Sequence, residues 1–268
     1  MSAFDAFLLG TVQGLTEFLP VSSTGHLILL RNYLGLPLPE GLALDAALHL
    51  ATAGAVIIYF HKDLLRVLYA GLYMMLRRPV PSDDRILLFA LLAGSIPAIG
   101  IGIFFSETIE TVFRSTMVVA LGLILGSLIM ASAEYVSKKI EEKKEITIRR
   151  GVMVGFFQAL ALLPGMSRSG MTISGGLLLG LSREMAVRFG FMLSFPIILG
   201  AGGLQFLTLL LGGGEQVHIF PLSIAVLSAF VSGLAAIHFL VRFLRAHTLM
   251  PFIVYRVLLA TVILIVGL

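Results

Sequence analysis

Two short polar runs interrupt an otherwise apolar chain: Pro20-Val21-Ser22-Ser23-Thr24-Gly25 and Pro164-Gly165-Met166-Ser167-Arg168-Ser169-Gly170. Each is followed by a helix start, so Thr24-Gly25 and Ser169-Gly170 present free backbone N–H groups and a positive dipole end. Two such ends brought to one point make an anion site before any side chain is counted. Arg168 adds a guanidinium suited to bidentate binding of phosphate or carboxylate. Ser22, Ser23, Thr24, Ser167, Ser169 and Thr172 add hydroxyls, and the whole reads as a phosphate cradle. The structural alternative for Arg168 is a pair with a buried acid, and Glu17 is available.

Glu17 follows Gln13 at i, i+4, so both lie on one helix face. An ionisable group at membrane depth is costly and by default functional. Glu17 is suited to ligate a hard divalent cation with Gln13, or to act as a general base. His26, close behind the Ser-Ser-Thr cluster, can accept a proton from a serine, donate one to a leaving phosphate, or itself attack phosphorus. Asp45 and His49 repeat the i, i+4 spacing on the next apolar segment, where a metal or entrance role stands beside simple helix-end polarity. His61, His218, His238 and His247 fall near segment ends and read as interfacial, and Phe18, Phe156, Phe157, Phe191 and Phe195 as packing or lipid contacts.

These groups sit in a chain of 268 residues that is 58% hydrophobic and only 13% charged, with a mean hydropathy of +1.01. A soluble domain carries about 25% charged residues, so this chain cannot cover a water-facing surface and reads as an all-α integral membrane protein. The net charge of +4 and pI near 9.6 then come from basic loops on one side of a bilayer rather than from nucleic-acid binding. The absence of cysteine excludes disulfides, thiolate metal sites and a cysteine nucleophile. With no tryptophan, Tyr, Phe and Arg are left as interfacial anchors, and the first residues show no removable signal peptide.

Six stretches are apolar over about the 20 residues that a span needs: 44–60, 86–105, 115–135, 185–211, 219–241 and 251–268. The stretches 4–30 and 151–182 are each broken by a polar run, and either half is too short to cross alone. They are predicted as re-entrant helical hairpins, whose broken backbone must be buried or line a cavity. Segments 61–85, 136–150, 182–188 and 242–250 hold fifteen of the 19 lysines and arginines, whereas 106–114 and 212–218 hold Arg114 with Glu107, Glu110 and Glu215. With the basic segments cytoplasmic, six crossings alternate, both termini lie outside, the first hairpin enters from outside and the second from inside. Residues 64–76 fit an interfacial helix, and the run from Lys138 to Glu145, with Lys143 and Lys144, a solvated helix extension. Nearly all charges then fall in loops and span ends, with Glu17 and Arg168 the exceptions.

A shift of 145 places Gly10, Gln13, Ser22, Thr24, Gly25, Gly35 and Leu36 on Gly155, Gln158, Ser167, Ser169, Gly170, Gly180 and Leu181. Because the two hairpins enter from opposite faces, this is an inverted-topology repeat, whose broken helices meet near the midplane and build the site there. One membrane domain, 1–268, thus divides into repeat one (about 1–135), a cytoplasmic loop (136–150) and repeat two (about 146–268). Gly-rich faces such as Gly200 to Gly203 suit helix packing inside one chain or between two copies in a homodimer.

At these residues the sequence resembles the undecaprenyl-diphosphate phosphatase family of the bacitracin-resistance type. Gln13 to Glu17 matches that family's (Glu/Gln)-x-x-x-Glu motif, Pro20 to His26 its Pro-Val-Ser-Ser-Thr-Gly-His, and Pro164 to Thr172 its Pro-Gly-x-Ser-Arg-Ser-x-x-Thr. Where some members have a second Glu, this chain has Gln13, so Glu17 carries the metal role with a neutral partner. The resemblance implies hydrolysis of undecaprenyl diphosphate to undecaprenyl phosphate and inorganic phosphate, recycling the carrier lipid for peptidoglycan and other envelope polymers. It also implies assistance by Mg²⁺ or Ca²⁺, tolerance of bacitracin, and a site in the bacterial cytoplasmic membrane open to the periplasmic side. Three mechanisms stand side by side: Ser23 attacking phosphorus with His26 and Glu17 as acid–base partners, His26 as direct nucleophile, and an activated water. The competing class is transport of an anionic polyprenyl phosphate, because inverted repeats with broken helices are also a transporter architecture. An intramembrane serine protease would leave Arg168 and the second hydroxyl cluster idle.

Overall fold

Ser2 opens the first helix with a reciprocal cap: its hydroxyl accepts from the Asp5 amide while the Asp5 carboxylate accepts from the Ser2 amide. A computed structural model describes residues 1–34, 41–112, 115–142, 145–212 and 218–266, which form helices and no strand. In order these are α1 (Ala3–Phe18), α2 (Ser23–Leu34), α3 (Gly41–Tyr59), α4 (His61–Met75), α5 (Ser82–Val112), α6 (Thr116–Ser137), α7 (Ile148–Leu160), α8 (Arg168–Leu178), α9 (Arg183–Gly212), α10 (Ile219–Ala246) and α11 (Met250–Val266). Over its described residues, each of the six apolar stretches lies in one helix to within a residue, and each interrupted stretch falls in two. Gly35, Leu36, Arg114, Lys143, Lys144 and Glu215 fall outside the described residues, as do the side chains of Glu107 and Glu110.

The chain is a helical membrane protein. Among the described residues, α5, α6, α9 and α10 contain stretches of 22 to 28 residues long and apolar enough to cross a bilayer. A fifth candidate is α3, which turns through 87° into α4, and α11 is a shorter apolar helix. Leu92, Ile96 and Phe104 on α5, Leu125 and Leu128 on α6, and Leu258 and Ile265 on α11 all face outward. So large an exposed apolar surface belongs in lipid. On α4, exposed Leu65, Leu68, Tyr69 and Leu72 share the helix with Lys62 and Arg66, the pattern of a helix lying in an interface.

The half-helices are held by close backbone approach. A Cβ at Gly10 would lie 2.2 Å from the Ala225 carbonyl oxygen, which seats α1 on α10. A Cβ at Gly155 would lie 2.0 Å from the Gly94 oxygen, which seats α7 on α5. A core gathers around Phe18, Phe60, Met130, Met171, Phe191 and Ile237, with Phe18 and Phe191 edge to face at 5.5 Å. At one end, buried Glu134 takes two bonds of 2.6 Å from Arg183 and one from the Leu249 amide. Of the Gly-rich face on α9, Gly202 packs against His49 of α3, while Gly200 and Gly203 meet nothing within 4 Å.

Candidate active site

Proline and serine shape both breaks. α1 ends at Leu19 in extended backbone, just ahead of Pro20, which cannot continue a helix. Ser22 then adopts φ +75°, and its hydroxyl accepts from the Gly25 amide at the head of α2 (3.5 Å). In the second break Gly165 has φ +92° and Ser167 φ +71°. The Ser167 hydroxyl accepts from the Gly170 amide (3.2 Å) and caps α8. Ser22 and Ser167 are the pair matched by the 145-residue shift, and they share this left-handed backbone. Such a conformation in a non-glycine residue costs on the order of 1–3 kcal/mol and clusters at functional sites.

The two breaks meet through Glu17, which is buried at 7% exposure. Its Oε2 accepts from the Ser23 hydroxyl (2.8 Å) and from the Gln13 amide (3.2 Å), and its Oε1 accepts from Nη1 of Arg168 (3.1 Å). Ser169 Oγ donates across the breaks to the Leu19 carbonyl (3.1 Å) and lies 3.2 Å from Ser167 Oγ. The pairing of Arg168 with Glu17 weighed from the sequence is therefore present, and the hydroxyls gather around it. Thr24 is exposed beside the site, whereas Thr172 is fully buried and donates to the carbonyl of Arg168 (3.0 Å).

His26 points elsewhere. Its Nδ1 faces the Ser22 carbonyl (2.8 Å) and must carry the proton in that bond, so Nε2 of the neutral ring accepts from the Tyr255 hydroxyl (2.6 Å). Both nitrogens are engaged, and the Ser23 proton is turned to Glu17 instead. Asp45 pairs with Arg31, and His49 donates from Nδ1 to the Asp45 carbonyl (2.8 Å).

Arg256 is a further buried charge, and one that the sequence marks only weakly. It lies at 0% exposure in the middle of α11, so Glu17 and Arg168 are not the only charges at depth. Its one signal in the sequence is that it is the sole charge of the apolar run Met250–Val266.

For a cation, the described residues contain no group of three or more histidines or acids. They do contain a buried oxygen, Oε1 of Gln13, that no donor satisfies, on an amide already touching Glu17. Two protein oxygens, completed by phosphate and water, fit the way Mg²⁺ is bound in phosphoryl-transfer sites. Gln158, the counterpart of Gln13, is likewise buried with both amide atoms unpartnered.

Comparison with known proteins adds three findings. The sequence model described as Bacitracin resistance protein BacA matches residues 6–262. The undecaprenyl-diphosphatase of Chloroherpeton thalassium is 40% identical, over 98% of this chain and 96% of its own length. Those of Trichlorobacter lovleyi (43% identical, 96% and 94%) and Rubrobacter xylanophilus (42%, 98% and 97%) are similar over the same extent.

Proposed function

The chain belongs to the bacitracin resistance protein BacA family, and on that premise we propose that it is an undecaprenyl-diphosphatase, as its relatives are named. It hydrolyses undecaprenyl diphosphate to undecaprenyl phosphate and inorganic phosphate, which returns the carrier lipid to envelope synthesis. The observation that carries the mechanism is the bond from Ser23 Oγ to Glu17 Oε2 at 2.8 Å, with Arg168 on the other carboxylate oxygen. A hydroxyl held by a base that a third group orients is the signature of an activated nucleophile.

Glu17 takes the Ser23 proton as Oγ attacks the terminal phosphorus. The bond from that phosphorus to the bridging oxygen breaks, and Glu17 gives its proton to the departing monophosphate. Water then attacks the phosphoserine, with Glu17 taking its proton and returning one to Oγ as the P–O bond opens. Arg168 and the two helix starts carry the charge that builds on the phosphoryl oxygens. His26, with Nδ1 on the Ser22 carbonyl and Nε2 on Tyr255, steadies the first break rather than taking the Ser23 proton. A half-turn of the Gln13 amide would bring Oε1 towards Glu17, and these two would hold Mg²⁺ or Ca²⁺. Such an ion would supply Lewis-acid neutralisation of the diphosphate.

In the membrane, α3, α5, α6, α9, α10 and α11 form six crossings. The α1–α2 and α7–α8 hairpins enter from opposite faces as an inverted repeat. The basic segments face the cytoplasm, the site opens to the periplasmic side, and lipid-facing helices leave room for the isoprenoid. The test is phosphate release by the purified protein in detergent from a short-chain prenyl diphosphate. Release that disappears in Glu17→Ala and Arg168→Ala is expected. No release, with lipid movement in vesicles, would point to transport instead.

A further inference from the structure

Arg256 ties together the two breaks at matching points. Its Nη1 donates to the carbonyl of Pro20 (3.3 Å) and its Nη2 to that of Gly165 (2.9 Å). These residues stand 145 apart, the same offset that relates Ser22 to Ser167, and each lies two residues before its positive-φ serine. Nε reaches Ser127 Oγ (3.1 Å), and Nη2 also faces the Leu123 carbonyl of α6 (3.2 Å). The guanidinium therefore fixes both breaks to each other and to one rigid helix. Gly126 leaves room for it, since a Cβ there would come within 2.2 Å of Nη2.

Its charge is also uncompensated among the described residues. Among the described residues, Arg31, Arg66, Arg168, Arg183, Arg188 and Arg245 each pair with an acid. All of Arg256's partners are neutral oxygens. Burying a cation without a counter-charge is unfavourable, and a neutral donor would have sufficed for a strap alone. The neighbouring Tyr255 reaches the site through His26. An anion arriving at the breaks would find in Arg256 a positive charge that no acid among the described residues cancels.

We propose that Arg256 is a positioning residue of the phosphatase reaction. It sets the two helix starts in register through the Pro20 and Gly165 carbonyls, and its free charge favours the diphosphate. This rests on the phosphatase reading, which the wild-type protein tests separately by releasing phosphate or failing to.

The experiment compares wild type, Arg256→Lys, Arg256→Met and Ser127→Ala, purified in detergent. Readouts are kcat, KM and inhibition by inorganic pyrophosphate, each per folded molecule as judged by thermal unfolding. Lysine keeps the charge but cannot span the carbonyls, so kcat is expected to fall about tenfold to hundredfold, with KM and pyrophosphate inhibition nearly unchanged. Methionine removes the charge as well, and KM and the inhibition constant should then rise about tenfold. Ser127→Ala leaves both break contacts in place and should keep kcat near wild type. Arg256→Lys with wild-type kcat and KM would overturn the proposal. So would losses that track the folded fraction alone. If Arg256→Met does not fold, the kcat-against-KM split between Arg256→Lys and Ser127→Ala decides.

Discussion

Replacing Glu17 by glutamine tests the centre of the mechanism, because it keeps the shape and removes the base. Three donors converge on this carboxylate: Ser23 at 2.8 Å, Gln13 at 3.2 Å and Arg168 at 3.1 Å. A glutamine offers one acceptor oxygen, so its NH₂ must confront at least one of them. A neutral donor left buried without a partner costs about 1–3 kcal/mol. The Arg168 side chain is 21% exposed rather than fully buried, which keeps the total towards the low end and the protein folded. The kinetic cost is larger. Losing a positioned general base removes roughly 10²–10⁴ in rate, or about 2.7–5.4 kcal/mol at 1.36 kcal/mol per tenfold. The assay is phosphate release from a short-chain prenyl diphosphate, normalised to folded protein. If Ser23 and Glu17 act as one unit, Ser23→Ala loses a comparable amount and the double variant loses little more, as for residues that share a single step. A Glu17→Gln enzyme with more than a tenth of wild-type kcat would refute Glu17 as the base. Fully additive losses would refute the Ser23–Glu17 couple.

Arg168→Lys keeps a charge but not the planar fork, and kcat/KM should fall about 10²-fold in the same assay, with Arg168→Met lower still. Tyr255→Phe removes the donor to His26 Nε2, worth about 0.5–1.5 kcal/mol, so kcat/KM should fall roughly twofold to tenfold with only a small drop in the unfolding temperature. Gly122→Ala places a Cβ 2.0 Å from the Pro164 carbonyl oxygen, against backbone that cannot swing away. It should destabilise by about 1–3 kcal/mol, read as a lower unfolding temperature in detergent. Chelation with EDTA should suppress phosphate release and added Mg²⁺ restore it, while Gln13→Glu should lower the half-saturating Mg²⁺ concentration because a second carboxylate joins the ligands.

Much of the fold is legible because a bilayer forces it. Apolar stretches of span length become single helices, and a polar run that contains proline divides a stretch into two, as at Pro20 and Pro164. The residues gathered at the site are legible for the same reason, since Glu17, Ser23 and Arg168 stand out against apolar neighbours. Their partners are less so. Ser22 and Ser167 carry hydroxyls that a sequence reads as free donors, yet both cap a helix in left-handed backbone, a role set by the turn and not by residue type. His26 lies three residues from Ser23, but its ring is committed to Ser22 and to Tyr255, 229 residues away. Arg256 is hidden by the averaging that identifies spans: one charge among 17 residues leaves α11 apolar. Its acceptors at Pro20, Ser127 and Gly165 become neighbours only when the helices pack.

On the proposed mechanism, the resting ion pair of Glu17 and Arg168 and the reacting centre are the same object, and the electrostatics of the candidate site are compatible with that. Glu17 and Arg168 neutralise each other at depth, which keeps either from standing as an isolated buried charge. That pairing engages Nη1 of Arg168, and a guanidinium has five N–H donors. Most of its donors therefore stay available to phosphoryl oxygens, so a diphosphate can bind without pulling the pair apart. Glu17 can then remain anchored through Oε1 while Oε2, the oxygen that already accepts from the Ser23 hydroxyl, acts as the base. Beyond any cation held by Glu17 and Gln13, the remaining positive charge on this reading comes from Arg256, which no acid among the described residues cancels, and from the starts of α2 and α8. A site built this way is slightly positive before substrate arrives and closer to neutral once a diphosphate is bound, the order in which a low-dielectric membrane interior tolerates it.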